Sequence, residues 1–234
     1  MTPRPQLSLC IPVTADSGLI QEFADNLTQF FQKMPLLYEI LFAVNPGQDQ
    51  SLSLLQYLAE RQPHYTVVKN KSKLSRAENL HNLFSMARGD VIIASDLDLA
   101  APLSEIFKML EVFYSDRETE VVFGNRFKAK KNLENQQAAA DKLEQFFNAV
   151  IHDKAAWKFA DPFCPVVGLR RTAFEKIQAH LRSKGWYWTQ EVQRVAMQQQ
   201  LKATEIPLYV GSRKGTKPPR WEACNLLHFV LFRI

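Results

Sequence analysis

Cysteine is scarce in this 234-residue chain, and the three present (Cys10, Cys164 and Cys224) lie far apart and form no CxxC pair. That usage implies a reduced cytosolic protein, not a disulfide scaffold. The five histidines, His64, His81, His152, His180 and His228, show neither HExxH nor any other paired spacing, so each reads as structural. No apolar run reaches the length needed to span a bilayer. The opening Met1-Thr2-Pro3-Arg4-Pro5-Gln6 lacks the apolar core of a secretory signal. No glycine-rich loop bearing Lys or Arg follows the first apolar run, which argues against a nucleotidyltransferase.

What is present is ordinary for a globular chain: 46% hydrophobic and 23% charged residues, enough for a sizeable core. The length suits one large domain. A net charge of +5 suits phosphate-bearing ligands or an anionic membrane surface. It is too small to mark nucleic acid as a partner, and the aromatics are not interleaved with Lys and Arg in any stripe.

Apolar runs alternate with amphipathic ones through the first half. Leu7 to Val13, Tyr38 to Val44 and His64 to Lys69 read as strands, and Val91 opens another. Between them lie helical patterns carrying Ile20, Phe23, Leu27 and Phe31, then Leu52, Leu55 and Leu58, then Leu80, Leu83 and Phe84. This alternation predicts βαβ units and an α/β fold with a mostly parallel sheet and helices on both faces. Pro102 opens a further helix, Val121 to Gly124 is a strand, and Asn132 to Ala149 is a polar helix. Val166 to Leu169, Ala173 to Leu181, Thr189 to Gln200 and Ala203 to Val210 read as strand, helix, helix and strand. A basic stretch with Arg213, Lys214, Lys217 and Arg220 precedes the apolar segment Trp221 to Ile234. That last segment suits a core helix, a dimer surface or an interfacial helix on a membrane.

The most informative stretch is Val91-Ile92-Ile93-Ala94-Ser95-Asp96-Leu97-Asp98-Leu99. A continuous Val/Ile run marks a buried parallel strand, and ligands of open α/β sheets sit at the carboxyl ends of such strands. Two carboxylates one residue apart suit a hard divalent cation that completes its shell with phosphates and water. Two solvated acids at a strand end are the alternative.

The order Ile11-Pro12, Tyr38-Glu39-Ile40, Ala87-Arg88-Gly89-Asp90, Asp96-Leu97-Asp98-Leu99 with Pro102, then Gly124-Asn125-Arg126, resembles the GT-A glycosyltransferases of family 2. The pattern is most similar to dolichyl- and polyprenyl-phosphate sugar transferases. Asp161-x-x-Cys164 with Gly168-Leu169-Arg170-Arg171, Trp188-Thr189-Gln190-Glu191, and Glu205-Ile206-Pro207 before Arg213-Lys214-Gly215-Thr216-Lys217 extend the similarity from about Leu7 to Lys217. The resemblance implies one GT-A (Rossmann-like) domain over 1–234. Residues 1–126 would bind the nucleotide sugar, 127–220 would form the acceptor half, and 221–234 would be an amphipathic end.

It further implies an inverting, metal-dependent transfer of a sugar from a nucleotide-diphosphate donor, with a polyprenyl or dolichyl phosphate as the favoured acceptor. Mg²⁺ or Mn²⁺ would sit at Asp96 and Asp98, with Asp98 the direct ligand. Pro12, Asp16, Asn45, Arg76, Asp96 and Arg213 would line the nucleotide sugar. Arg126, Arg213, Lys214 and Lys217 would gather donor or acceptor phosphates, a task suited to the Arg fork and the Lys point charge. Asp98, Arg126 and Glu191 would carry catalysis. Glu191 would be the base for a hydroxyl acceptor, whereas a phosphate acceptor is already anionic and needs none. Such a protein would be cytoplasmic, with peripheral contact at the cytoplasmic face of a membrane.

The chain departs from that family's pattern in places. Asn45-Pro46-Gly47 stands where a pair of acids is usual, Lys73 to Ala77 lacks a Gly-Lys-Gly, and Thr189 replaces an acid. These departures support a second reading, a catalytically weakened GT-A relative that binds a nucleotide or acts as a scaffold.

Overall fold

The apolar runs assemble into one seven-stranded sheet, ordered β3-β2-β1-β4-β6-β5-β7. The computed structural model describes residues 3–13, 17–31, 35–47, 50–97, 102–129, 157–185 and 187–210. In chain order the elements are β1 (Leu7–Val13), α1 (Ser17–Phe31), β2 (Tyr38–Val44), α2 (Ser51–Ala59), β3 (Tyr65–Lys69), α3 (Arg76–Met86) and β4 (Val91–Ala94). Then come α4 (Leu103–Ser115), β5 (Val121–Asn125), β6 (Val167–Arg170), α5 (Arg171–Ile177) with a 3-10 turn at Gln178–His180, α6 (Trp188–Gln198) and β7 (Ala203–Pro207). The predicted helix 132–149, the basic stretch 211–220 and the segment 221–234 lie outside the described residues.

Apart from Ser8 and Glu39, the inner strands β1, β2 and β4 are apolar because both faces are covered. Leu7, Leu9, Ile11 and Val13 of β1 pack with α1, α2 and α4, while Cys10 packs with α3, α5 and α6. The same parity splits β4: Val91 and Ile93 join the first layer, Ile92 and Ala94 the second. Side chain 96 therefore projects toward α3.

The sheet is mostly parallel, as predicted, with one exception. β6 runs antiparallel between β4 and β5, so Val167 lies opposite Ala94 and Phe123, and Arg170 opposite Val91. Gly168 makes this fit possible, because a Cβ there would sit 2.9 Å from Phe113 Cε2. The predicted strand to Val210 stops at Pro207, where its partner β5 ends at Asn125. Beyond it Tyr209 N–H donates to Glu105 instead (3.0 Å). The helix expected from Ala173 to Leu181 starts earlier and tightens into the 3-10 turn after Ile177.

The amino-terminal rim of the sheet is closed by a polar clasp. Glu39 of β2 accepts from Ser8 Oγ (2.6 Å), Arg88 N–H (2.6 Å) and Arg88 Nε (2.9 Å), and Gly89 N–H donates to Ser8 Oγ (2.7 Å). Burial opposes ionisation of Glu39, but these hydrogen bonds and the Arg88 charge outweigh it and hold the carboxyl below its ordinary value. Burial, with Glu39 nearby, pushes the Cys10 thiol well up, so it is an inert core group.

Candidate active site

The chain builds β1, β2 and β3 outward in one direction, then returns to place β4 on the other side of β1. The carboxyl ends of β1 and β4 therefore flank a topological switch point, where connections leave in opposite directions and open a crevice. The last bond across this gap is Ser95 N–H to Cys10 carbonyl (3.1 Å). Residue 12 faces the same side as residue 10, and β4 has already ended there. Pro12 thus loses no ladder bond by lacking an N–H, and it sits buried in β1 at the edge of the crevice. The Ser95 hydroxyl at this rim is buried with no hydrogen-bond partner among the described residues.

Asp96 follows directly. Its Oδ1 accepts from both Arg76 Nε (3.0 Å) and Arg76 Nη2 (2.8 Å), and the same Nη2 donates to Pro165 carbonyl (3.2 Å). Arg76 is the first residue of α3, and that turn is firmly built. Ser75 and Glu78 form a capping box, and Ala77 N–H donates to Gly185 carbonyl (3.0 Å). The Arg76 side chain is 5% exposed and Asp96 20%, so the acid is the partner that faces solvent.

Asn45 lies at the carboxyl end of β2. Its Oδ1 accepts from Leu74 N–H (3.0 Å) and Asn70 Nδ2 (2.8 Å), and its Nδ2 donates to Leu74 carbonyl (2.8 Å). Asn70 Nδ2 also donates to Asn79 Oδ1 (2.6 Å). The asparagine pins the loop that leads into α3. It stands close to the Arg76 turn as a brace.

Arg126, just after β5, is clamped by Asp161. Its backbone N–H (2.9 Å) and Nε (2.8 Å) reach Oδ2, and Nη2 (2.8 Å) reaches Oδ1. Both side chains are buried, and Glu205 adds bonds to Asp161 N–H (3.0 Å) and Asn125 Nδ2 (3.2 Å). Gly124 permits this packing, since a Cβ there would meet Leu208 and lie 2.5 Å from Cys164 Sγ. Asp161 therefore pairs with Arg126 and not with Arg170, whose guanidinium binds the carbonyls of Phe113, Thr119 and Asp116.

Glu191, in the first turns of α6, is 3% exposed; Oε1 accepts from Arg182 N–H (2.9 Å) and Oε2 from Ser183 N–H (2.8 Å). Trp188 packs edge-on against Phe84 of α3 (centroids 4.8 Å) as core. Asp16, Asp98, Arg213, Lys214 and Lys217 lie outside the described residues. Among the described residues no three His, Cys, Asp or Glu side chains are gathered to hold a metal. The sequence reading missed the Pro165 and Gly185 carbonyls, because backbone acceptors leave no residue-type signal. Asp161 and Arg126 each carried a motif signal, but nothing in the sequence signalled that they pair.

Comparison with known proteins agrees with this architecture. The family model described as Glycosyl transferase family 2 matches residues 8–178. Glycosyltransferase AglD of Haloferax volcanii is 21% identical over 180 residues, which are 77% of this chain and 28% of that protein. An undecaprenyl-phosphate 4-deoxy-4-formamido-L-arabinose transferase of Pseudomonas fluorescens is 28% identical over 106 residues, 44% of this chain and 31% of the relative. The chain thus matches less than a third of the length of these curated relatives. In fold it is similar to glucosyl-3-phosphoglycerate synthase of Mycobacterium tuberculosis, solved with Mn²⁺, UDP and glucosyl-3-phosphoglycerate. The TM-score is 0.65 at 12% identity, over 97% of this chain and 77% of that one. It is also similar to mannosyltransferase PcManGT of Pyrobaculum calidifontis, solved with GDP-Man and Mn²⁺. There the TM-score is 0.61 at 15% identity, over 98% of this chain and 70% of the other. The fold is GT-A.

Proposed function

We propose that this chain, which belongs to glycosyl transferase family 2, is an inverting glycosyltransferase that moves a sugar from a nucleotide-diphosphate donor to a polyprenyl or related lipid phosphate. The observation that carries the reading is the Asp96 carboxylate, held by Arg76 at the switch-point crevice two residues before Asp98. The name of one curated relative, an undecaprenyl-phosphate 4-deoxy-4-formamido-L-arabinose transferase, supports the acceptor class.

A divalent cation fits this donor set. The described residues offer no cage of their own, and a partly exposed Asp96, two residues before Asp98 in the chain, suits an ion that takes one or two carboxylates and completes its shell with diphosphate oxygens. Mg²⁺ or Mn²⁺ bound by Asp96 and Asp98 would neutralise the departing diphosphate. Arg76 fixes the orientation of Asp96 before any ligand arrives, which lowers the ordering cost of binding. Pro12 and Asp16 border the base, and Asn45 steadies the loop that carries Arg76. Arg213, Lys214 and Lys217 supply positive charge to the phosphates, whereas Arg126 is buried and paired with Asp161. The phosphate acceptor uses an oxygen lone pair to form the new bond to the anomeric carbon, while the bond to the diphosphate oxygen breaks with its electron pair. No proton moves, so no protein base is required. No helix among the described residues is long and apolar enough to cross a membrane.

A screen of UDP-, GDP- and dTDP-sugars with Mn²⁺ and a polyprenyl phosphate, run beside Asp98→Ala, tests the reading. Transfer that persists undiminished in the variant would overturn it. The second reading, a nucleotide-binding or scaffold relative, is favoured by Asn45, which offers no acid and has its amide engaged by Leu74 and Asn70. Calorimetric binding of a nucleotide without transfer of any sugar would select it.

A further inference from the structure

We propose that Glu191 is a positioning residue that holds the Arg76–Asp96 pair through the loop 181–185, and that it is not the proton acceptor of the reaction. The two consecutive N–H groups of Arg182 and Ser183 donate to opposite oxygens of one carboxylate (2.9 and 2.8 Å). Such charge-assisted bonds are roughly twice as strong as neutral ones, and here they bend the backbone around a single anion. The bend delivers Gly185 carbonyl to Ala77 N–H (3.0 Å), one of the otherwise unsatisfied donors in the first turn of α3. Arg76 sits in that turn, and its guanidinium reaches both Asp96 and Pro165 carbonyl. Beneath it, α6 packs on α3 through Trp188 against Phe84. A continuous set of bonds thus runs from Glu191 to the carboxylate at the crevice.

The same geometry disfavours a base. The Glu191 side chain is 3% exposed, and each oxygen already accepts a backbone donor, whereas a base must meet a substrate proton within hydrogen-bond reach. Glutamine cannot replace this carboxylate, because its NH₂ would face one of the two N–H donors.

The experiment compares wild type, Glu191→Gln and Ser183→Pro, the last deleting one donor from the other end of the bond. Amide hydrogen exchange is read at Ala77, Arg182 and the body of α6. Donor KM, kcat and the pH profile of kcat are read where transfer occurs. Exchange at Ala77 should rise about tenfold or more, the change expected from losing one charge-assisted hydrogen bond, with the body of α6 still protected. Donor KM should rise by a similar factor with the pH profile unchanged in shape. Unaltered exchange at Ala77, with kcat down a hundredfold or more and the acidic limb of the profile gone, would overturn the proposal. The kinetic arm rests on the glycosyltransferase reading, but the exchange arm does not. If wild type transfers no sugar, that reading fails, and Ala77 exchange alone decides the role of Glu191.

Discussion

The two rims of the sheet each carry an arginine–carboxylate pair, and the pairs are turned inside out relative to each other. At the amino-terminal rim the acid is inside: the Glu39 side chain is 5% exposed and Arg88 64%. At the carboxyl-terminal rim the arginine is inside and Asp96 is the partner that faces solvent. The first arrangement satisfies an anion so that three segments of chain can meet, and it offers nothing to a ligand. The second uses a buried cation to aim an anion into a crevice. The local chemistry is the same, and which partner is buried separates a structural clasp from a candidate site. Arg126–Asp161 marks the limit, with both charges buried beside the same rim.

Breaking the fully buried pair should have the largest effect. Asp161→Ala leaves Arg126 buried without its counter-charge, and denaturant unfolding should show a loss of about 3–5 kcal/mol. Next comes the metal ligand proposed two residues after the outward-facing Asp96. Asp98→Ala should lower kcat for transfer by about 10²–10³, in line with the removal of one group acting on transition-state charge. Its denaturation midpoint should match wild type.

At the closed rim the order of effects reverses, with stability changing and activity holding. Glu39→Ala should cost about 1–3 kcal/mol, since the Ser8 hydroxyl and the Arg88 N–H lose their acceptor. Because the folded Glu39 carboxyl lies below its unfolded value, its stabilisation is full above the unfolded pKa and fades as pH falls through the folded one. The variant should therefore show a flatter loss of stability in acid, measured by urea midpoints from neutral pH downward. Arg88→Ala should be the mildest, under about 1 kcal/mol, because the exposed partner contributes little and Ser8 Oγ and the backbone N–H of residue 88 remain. A larger effect from Arg88 than from Glu39 would break the comparison.

Much of this was legible from residue order. The runs Leu7 to Val13, Tyr38 to Val44 and Val91 onward became β1, β2 and β4, because continuous apolar, β-branched residues are stable only between covering layers. Asp96 was legible as a strand-end acid, and Arg76 was expected only along the nucleotide sugar. The partner of Asp161 was not. Arg170 is near it in sequence, yet β6 runs antiparallel and carries Arg170 to the opposite rim, while Asp161 stays at the rim where β5 delivers Arg126. A pattern of residue types reports how often the chain reverses, but not which strand is inserted between which.

The sequence by itself determined the α/β class, the alternation of layers and the place where acids leave the core, since each depends on local periodicity. Only the tertiary structure decided which charges meet and which of each pair is buried. Those outcomes depend on strand order and on backbone carbonyls at Pro165 and Gly185, which no side-chain pattern records. Asp96 as a candidate site residue was readable. Its bracing by Arg76, and through the first turn of α3 by the loop that Glu191 holds, was not.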